Sequence, residues 1–202
     1  MSSLFGRVFL RGLAIGTVMA VLGFGTIKVM EMLDSGEPEG DPATAATTMK
    51  ERPLLYMDLP GGRVTIELLP DIAPYHVARI TELAAQGFYD GVAFHRVVED
   101  FVAQGGDPTG TGRGGSGQHL PAEFSQTEKH VRGAVSMART ADPNSADSQF
   151  FIVLADSFFL DGQYTIWGRV TEGMEHVDAL KRGEGHRDPD RIVKMRPADA
   201  KE

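Results

Sequence analysis

The feature that most constrains the fold of this chain is a series of short apolar runs, separated by turns rich in glycine or proline. The runs LLYMDL and RVTIELL alternate apolar and polar residues on either side of Pro60-Gly61-Gly62, which predicts a β-hairpin. Further short strands are predicted at 92–98, 101–106, 134–137, 149–154, 165–170 and 191–196.

Two helical patterns interrupt the strands. In 71–87, Pro74 lies near the first turn and Gly87 ends the helix, and a second short helix is predicted over 174–182. About eight short strands and two helices indicate a mainly β protein. We expect a closed eight-stranded antiparallel barrel capped by two α-helices, with a sandwich as the alternative. A small barrel fills its interior with side chains, so an active site should lie on its outer wall.

Residues 1–33 differ from the rest of the chain and predict an N-terminal hydrophobic helix. The run 12–27 carries no charge, and it follows Arg7 and Arg11 and precedes Lys28. The run is shorter than the roughly 20 residues that span a bilayer, but flanking cations can extend it. We expect an uncleaved inner-membrane anchor with the domain in the periplasm. Secretion to the periplasm after signal cleavage and a buried soluble helix are the alternatives.

Residues 34–49, DSGEPEGDPATAATTM, combine glycine, proline, threonine and acidic residues with almost no apolar bulk. Such a composition cannot bury enough surface to fold, so it predicts a disordered linker. An irregular part of the globular domain is the alternative. The globular domain is then expected to occupy residues 50–202.

Composition and spacing exclude several classes of site. The net charge of −8 and the lack of a basic run argue against nucleic-acid binding. The chain has no cysteine, which excludes disulfides, thiolate metal sites and a cysteine nucleophile. Its six histidines share no metal-ligand spacing, and the GTGRGG run at 110–115 does not open a helix as a dinucleotide site requires. We therefore expect neither a metal nor a cofactor.

Four longer blocks carry a resemblance to a known family. They are FHRVVEDFVAQGGD (94–107), GTGRGGSG (110–117), SMARTADPNSADSQFFIVLA (136–155) and FLDGQYTIWGRVTEGMEHVDAL (159–180). In this order they resemble the signature blocks of the cyclophilins, which are peptidyl-prolyl cis-trans isomerases. The version of these blocks in this chain resembles that of bacterial cyclophilins. The resemblance extends over about 54–196, essentially the whole predicted domain. It implies a cyclophilin-like barrel that binds proline-containing polypeptides and assists protein folding.

The resemblance implies two catalytic residues, Arg96 and Gln104, of which Gln104 would hydrogen-bond the substrate backbone and hold Arg96. The other active-site positions would bind substrate: Phe101, Val102, Ala138, Arg139, Phe151, Phe159, Leu160 and Tyr164. Among these, Phe101, Val102, Phe151 and Leu160 would form the pocket for the proline ring. The main chain near Ala138 and Arg139 would align the peptide as an extended segment.

Four of these positions differ from the most familiar eukaryotic pattern. Val102 replaces a methionine, Phe159 a tryptophan, Tyr164 a histidine and Arg139 an asparagine. The tryptophan position usually contributes to cyclosporin binding, so we expect this chain to bind cyclosporin only weakly. The change at Arg139 is expected to alter the peptide preference.

The chemistry of prolyl isomerisation agrees with the absence of other catalytic patterns in the sequence. Rotation about an X-Pro bond breaks amide resonance but makes and cleaves no bond, so it needs no nucleophile, metal or proton shuttle. An apolar surface that holds the ring and a charged donor such as arginine would be sufficient.

Three interpretations remain open at this point. The first is an active prolyl isomerase tethered to the membrane. The second is a non-catalytic module that binds proline-containing segments, and the third is a tethered scaffold. Without the resemblance of the longer blocks, the local sequence would indicate that Arg96 is a solvated residue on the outer face and that Phe101 and Phe151 are core residues.

Overall fold

A computed structural model of the protein describes residues 51–185 and 187–200. They form the strands β1 (Leu54–Leu59), β2 (Gly62–Leu68), β3 (Arg96–Val98), β4 (Val102–Gly105), β5 (Ala134–Met137), β6 (Phe150–Val153), β7 (Ile166–Glu172), β8 (Gly183–Glu184) and β9 (Lys194–Pro197). The helices are α1 (Pro74–Ala85) and α2 (Met174–Asp178), and a 3-10 turn covers Phe158–Leu160. The strands form one sheet in the order β8-β3-β4-β6-β5-β7-β2-β1-β9.

The sheet is antiparallel and curled, which confirms the mainly β prediction. The predicted hairpin is confirmed, because β1 pairs with β2 and Leu59 lies opposite Gly62. The described residues form nine strands, however, and not the predicted eight. The additional strand is β8, which is only two residues long and pairs with the start of β3. No apolar run marks β8 in the sequence, because its backbone pairs at the edge of the sheet without burying side chains.

The two end strands of this sheet, β8 and β9, do not pair with each other in the part of the chain that the structure describes. Between the segments that precede β3 and β9 there is an isolated bridge, Ala93 to Arg191. It is flanked by a backbone hydrogen bond of 2.9 Å from Ile192 N to Val92 O. The predicted closed ladder of eight strands is therefore not confirmed.

Helix α1 confirms the helical pattern predicted over 71–87. Pro74 occupies its first turn, where a missing N–H costs no hydrogen bond. The residues that recur at helical spacing are buried, among them Ile80 and Leu83. Gly87 follows with a left-handed φ of 71°, which glycine adopts without a steric cost and which ends the helix.

The main core lies on one side of the sheet and is centred on packed aromatic rings. Phe150 on β6 contacts Tyr89, Phe94 and Trp167 edge to face, with ring centroids 5.7, 6.2 and 5.9 Å apart. All four side chains are essentially inaccessible to solvent. Edge-to-face pairs add stability beyond the area they bury, so this cluster fixes β6 relative to its neighbours.

Strand β3 is shorter than the predicted strand at 92–98. Alternation over that segment would place Phe94 and Arg96 on one face, but Phe94 belongs to the main core together with Val97. The residues before β3 hydrogen-bond to the segment before β9, so the regular alternation begins only at Arg96. His95, between them, is buried.

The predicted anchor at 1–33 and linker at 34–49 lie outside the described residues. Across residues 51–185 and 187–200, no helix combines the length and the apolar character that crossing a membrane would need.

Replacing Gly106 with alanine should destabilise the fold more than the same change at Gly91. Both glycines have a left-handed backbone, with φ of 85° and 76°. That conformation costs another residue about 1–2 kcal/mol. At Gly106 an added Cβ would also clash with the carbonyl oxygen of Ser148, whereas at Gly91 it would meet nothing within 4 Å.

We expect Gly91→Ala to lower the free energy of unfolding by about 1–2 kcal/mol, and Gly106→Ala to lower it by at least about 2 kcal/mol more. Urea denaturation of both variants measures the difference. Equal losses would contradict the close packing of Gly106 against Ser148.

The free energy of unfolding should fall as the pH drops below about 6.5. His76, His95 and His130 are buried, and burial lowers the pKa of each ring more than nearby carboxylates raise it. The unfolded chain therefore takes up these protons first, and each histidine can remove up to about 1.4 kcal/mol per pH unit. Denaturant titrations between about pH 8 and 5.5 should show a plateau followed by a decline. His95→Leu should make the decline shallower, and an unchanged slope would contradict this assignment.

Candidate functional site

A row of cross-strand neighbours defines the outer face of the sheet. Arg96 on β3 lies opposite Gln104 on β4, which in turn lies opposite Phe151 on β6. Successive side chains on a strand point to opposite faces, so these three share one face. The adjacent residues on the same strands, such as Val97 and Ile152, belong to the main core on the other face. The prediction of a site on the outer wall therefore agrees with this arrangement.

The outer face carries a second apolar cluster, separate from the main core. Val102, Phe151 and Leu160 are 2%, 5% and 8% exposed at its centre. They form the floor of a cavity of about 220 Å³, which we call the apolar pocket. Its lining residues are Arg96, Phe101, Val102, Gln104, Ala138, Arg139, Phe151, Leu160 and Tyr164. The structure thus brings together nine of the ten predicted site residues.

The tenth residue, Phe159, lies at the rim of the apolar pocket. Its ring stacks on Phe101, with centroids 5.7 Å apart, and 66% of the residue is exposed. The 3-10 turn positions it, because a hydrogen bond of 3.0 Å from Leu160 N to Ser157 O turns Leu160 inward and leaves Phe159 outside. The rim therefore presents an aromatic face to solvent.

Behind the pocket lies a buried histidine whose contribution the sequence analysis missed. The ring of His130 stacks on Phe151, with centroids 6.1 Å apart, and Nδ1 lies 2.9 Å from Asp161. Its Nε2 lies 3.1 Å from the hydroxyl of Ser136. Burial lowers the pKa of His130, although Asp161 opposes this effect. The sequence analysis considered His130 only as a metal ligand, and the structure shows a buried histidine with hydrogen-bond partners at both ring nitrogens.

The Asp161–His130–Ser136 arrangement resembles the geometry of a serine hydrolase triad, but its serine cannot act as one. Ser136 is fully buried, and its hydroxyl donates a hydrogen bond of 2.8 Å to the carbonyl of Thr165. A nucleophile must reach the substrate. This network therefore supports the packing of Phe151 from behind.

Arg96 has an acidic neighbour that the sequence did not reveal. Its Nε lies 3.9 Å from the carboxylate of Glu184, which β8 places directly opposite it. The guanidinium also lies over the ring of Phe101, 5.6 Å from its centroid. The Glu184 side chain is 76% exposed, so this ion pair is weak and leaves the arginine donors available.

Gln104 does not hydrogen-bond to Arg96 within the described part of the chain. Its Nε2 donates to Gln149 Oε1 at 3.1 Å, and Gln149 Nε2 donates to the carbonyl of Gly114 at 2.8 Å. The predicted direct contact with Arg96 is thus replaced by a contact with Gln149, which links Gln104 to the glycine-rich loop, residues 105–117. The Oε1 of Gln104 accepts no hydrogen bond from the described residues, and the residue lines the apolar pocket.

The carboxylates of Asp107 and Asp147 hold the glycine-rich loop, which borders a second cavity. Asp107 accepts hydrogen bonds from the backbone N–H groups of Thr109 (2.7 Å) and Arg113 (3.0 Å). Burial alone would raise its pKa, but hydrogen bonds from Thr109 and the loop backbone hold the pKa of Asp107 below its usual range. The second cavity, of about 310 Å³, shares Gln104, Ala138 and Arg139 with the apolar pocket.

Comparison with known sequences identifies the same family along the domain. The family model described as cyclophilin type peptidyl-prolyl cis-trans isomerase/CLD matches residues 54–199. A probable peptidyl-prolyl cis-trans isomerase of Brucella suis is 45% identical over 172 residues, covering 77% of this chain and 87% of that protein. A peptidyl-prolyl cis-trans isomerase of Arabidopsis thaliana is 40% identical over 149 residues, covering 72% of this chain and 85% of that protein.

Solved structures with the same fold agree with this identification. A cyclophilin from Hirschia baltica matches with a TM-score of 0.65 and 34% identity, over 70% of this chain and 72% of that chain. A cyclophilin type isomerase from Cryptosporidium parvum, crystallised in the presence of the dipeptide Ala-Pro, matches with a TM-score of 0.68 and 30% identity. That match covers 73% of this chain and 99% of the other. The chain belongs to the cyclophilin-type peptidyl-prolyl cis-trans isomerases.

Proposed function

We propose that the cleft, which is the apolar pocket together with the second cavity, accelerates rotation about X-Pro bonds without forming a covalent intermediate. The proline ring would lie in the apolar pocket, with Arg96 beside the rotating bond. The observation that carries this proposal is a cation, Arg96, on the wall of a cavity whose floor is apolar. Val102, Phe151 and Leu160 offer a surface from which water is largely excluded. Burying the ring there holds the imide next to the guanidinium.

Rotation has a barrier of about 18–20 kcal/mol, because the twisted state loses amide resonance. In that state charge shifts to the imide nitrogen or the carbonyl oxygen, where a donor can meet it. Arginine offers several donors in a planar fork. A hydrogen bond to a charged group contributes about 1.5–3 kcal/mol, which corresponds to roughly one to two decades in rate. The apolar pocket and Gln104 must supply the remainder.

An extended peptide could align along the main chain at the edge of the pocket. The backbone N–H and C=O of Arg139 make no hydrogen bond to the described residues, whereas the N–H of Ala138 is bonded to Gln149 O at 2.9 Å. Free main-chain groups of this kind can pair with an extended segment. The Ala-Pro dipeptide used with the Cryptosporidium parvum relative supports proline-containing polypeptides as substrates. We propose that such segments belong to proteins in the course of folding, and that Phe159 at the rim makes cyclosporin binding weak.

Residues 1–33 support a further proposal about location. Their uncharged run and flanking cations are typical of an inner-membrane anchor, which would place the domain in the periplasm. Cleavage after export would instead release a shorter periplasmic protein.

Arg96→Ala should reduce prolyl isomerase turnover by about ten- to a hundredfold, because one charge-assisted hydrogen bond to the twisted state is lost. A protease-coupled assay on a proline-containing peptide measures kcat/KM. The matched control is Arg169→Ala, since Arg169 also lies on a strand beside a glutamate and its side chain is similarly exposed (36% against 29%). Far-ultraviolet circular dichroism verifies the fold of both variants.

The control should retain wild-type turnover. If the wild-type protein binds a prolyl peptide but does not accelerate exchange, the domain is a binding module and Arg96 serves recognition only. If it does neither, the scaffold interpretation holds.

Removing residues 1–33 should release the protein from the membrane fraction of cells that produce it. The physical reason is the loss of the only long uncharged run in the sequence. Fractionation followed by alkaline extraction compares the full chain with the truncated one. A full-length gene product recovered as a shorter soluble periplasmic species would instead demonstrate signal cleavage.

A further inference from the structure

Three arginines line the cleft of a chain whose net charge is −8. Arg96 and Arg139 line the apolar pocket, and Arg113 and Arg139 line the adjacent cavity of about 310 Å³. Arg96 has Glu184 at 3.9 Å. Neither Arg113 nor Arg139 forms an ion pair with any residue in 51–185 or 187–200. Two cations without an ion-pair partner among the described residues therefore line this cavity, whose lining also includes the carboxylate of Asp147.

Arg139 is held in place by groups that do not neutralise its charge. Its Nε donates to the carbonyl of Gln163 at 2.9 Å, and its Nη1 donates to the carbonyl of Thr140 at 2.8 Å. The guanidinium stacks over Tyr164, 4.7 Å from the ring centroid. Its Nη2 makes no hydrogen bond to the described residues. A fixed, unpaired donor of this kind loses little conformational freedom when a ligand binds it.

The carboxylate in the same cavity is already engaged. Asp147 accepts hydrogen bonds from the N–H of Ser116 (2.7 Å), the hydroxyl of Ser116 (2.5 Å) and the N–H of Gly117 (2.9 Å). It therefore anchors the loop and pairs with neither arginine. The side chain of Arg113 is exposed and forms no hydrogen bond or ion pair with the described residues, while its backbone N–H is bonded to Asp107.

We propose that Arg139, assisted by Arg113, makes the cleft selective for X-Pro segments that carry an acidic side chain close to the proline. This inference rests on the proposed function, because it assigns the substrate class of the same cleft. Arg139 borders both the apolar pocket and the second cavity. A chain with its proline ring in the pocket would place a neighbouring carboxylate between the two cations.

The shared wall limits how far the acidic residue can lie from the proline. The two cavities are adjacent, because they share part of their lining. An extended chain advances about 3.3 Å per residue, so the carboxylate should lie within about three residues of the proline. The acidic residue should either precede or follow the proline in the peptide sequence, but not both, because Arg139 lies on one side of the apolar pocket. The preference should weaken in high salt, because part of the interaction is exposed to solvent.

The test measures isomerisation of proline heptapeptides by NMR exchange spectroscopy, which avoids any preference of a coupling protease. Each peptide carries a single glutamate before or after the proline and is compared with its glutamine counterpart, which has the same shape without the charge. We expect kcat/KM for one glutamate peptide to exceed that of its glutamine counterpart by about fivefold at low ionic strength. The glutamate-to-glutamine ratio is the readout, so a general loss of activity in a variant does not affect it.

Arg139→Gln should bring this ratio close to one, and Arg113→Gln should lower it by a smaller factor. Arg139→Glu should reverse the preference in favour of a lysine peptide, which a merely structural role of Arg139 would not do. Arg169→Gln, which removes a strand arginine outside the cleft, should leave the ratio unchanged.

The possible failures are distinguishable. Ratios near one for every position, with the glutamine peptides turned over normally, would overturn this inference and leave the proposed function intact. A high ratio that survives both arginine substitutions would overturn the assignment to these residues. A complete lack of turnover on all peptides would refute the proposed function and this inference with it.

Discussion

The site depends on one constraint, which is a stretch of sheet that carries an apolar cluster on each of its two faces. Strands β3, β4 and β6 direct one set of side chains into the main core and the alternate set outward. The core aromatics around Phe150 fix the first face. On the second face Phe101, Ala138 and Tyr164 pack against the apolar residues, and an open pocket remains beside Phe151. Removing apolar surface from water contributes about 25 cal/mol per Å², which would favour the proposed insertion of a proline ring there.

The same strand geometry places a cation at the wall of this pocket. Arg96 is only 29% exposed, lies beside the ring of Phe101 and has one weak acidic partner. Charge interactions strengthen where water is excluded, so in the proposed mechanism its donors would act more strongly on a buried imide than they would in solvent. The strand pairing positions the guanidinium in the protein without a ligand, which would reduce the reorganisation that the proposed catalysis requires.

Buried polar groups outside the pocket hold Phe151, Gln104 and the glycine-rich loop in place relative to one another. His130 packs behind Phe151 and is bonded to Asp161 and Ser136. Gln149 joins Gln104 to the glycine-rich loop, and Asp107 and Asp147 hold that loop through its backbone N–H groups. Buried polar groups that were left unpaired would be costly, so these satisfied networks favour one arrangement of the cleft.

The sequence by itself determined the family, the mainly β class, helix α1 and the set of residues that meet at the cleft, because local periodicity and the signature blocks carry that information. Tertiary structure alone decided the rest. Glu184 meets Arg96 through β8, a strand too short and too polar to leave a pattern. Gln104 bonds to Gln149 and not to Arg96, and Arg139 lies between two cavities without an ion-pair partner among the described residues. These outcomes depend on which distant residues approach each other in space, and no spacing along the chain encodes that.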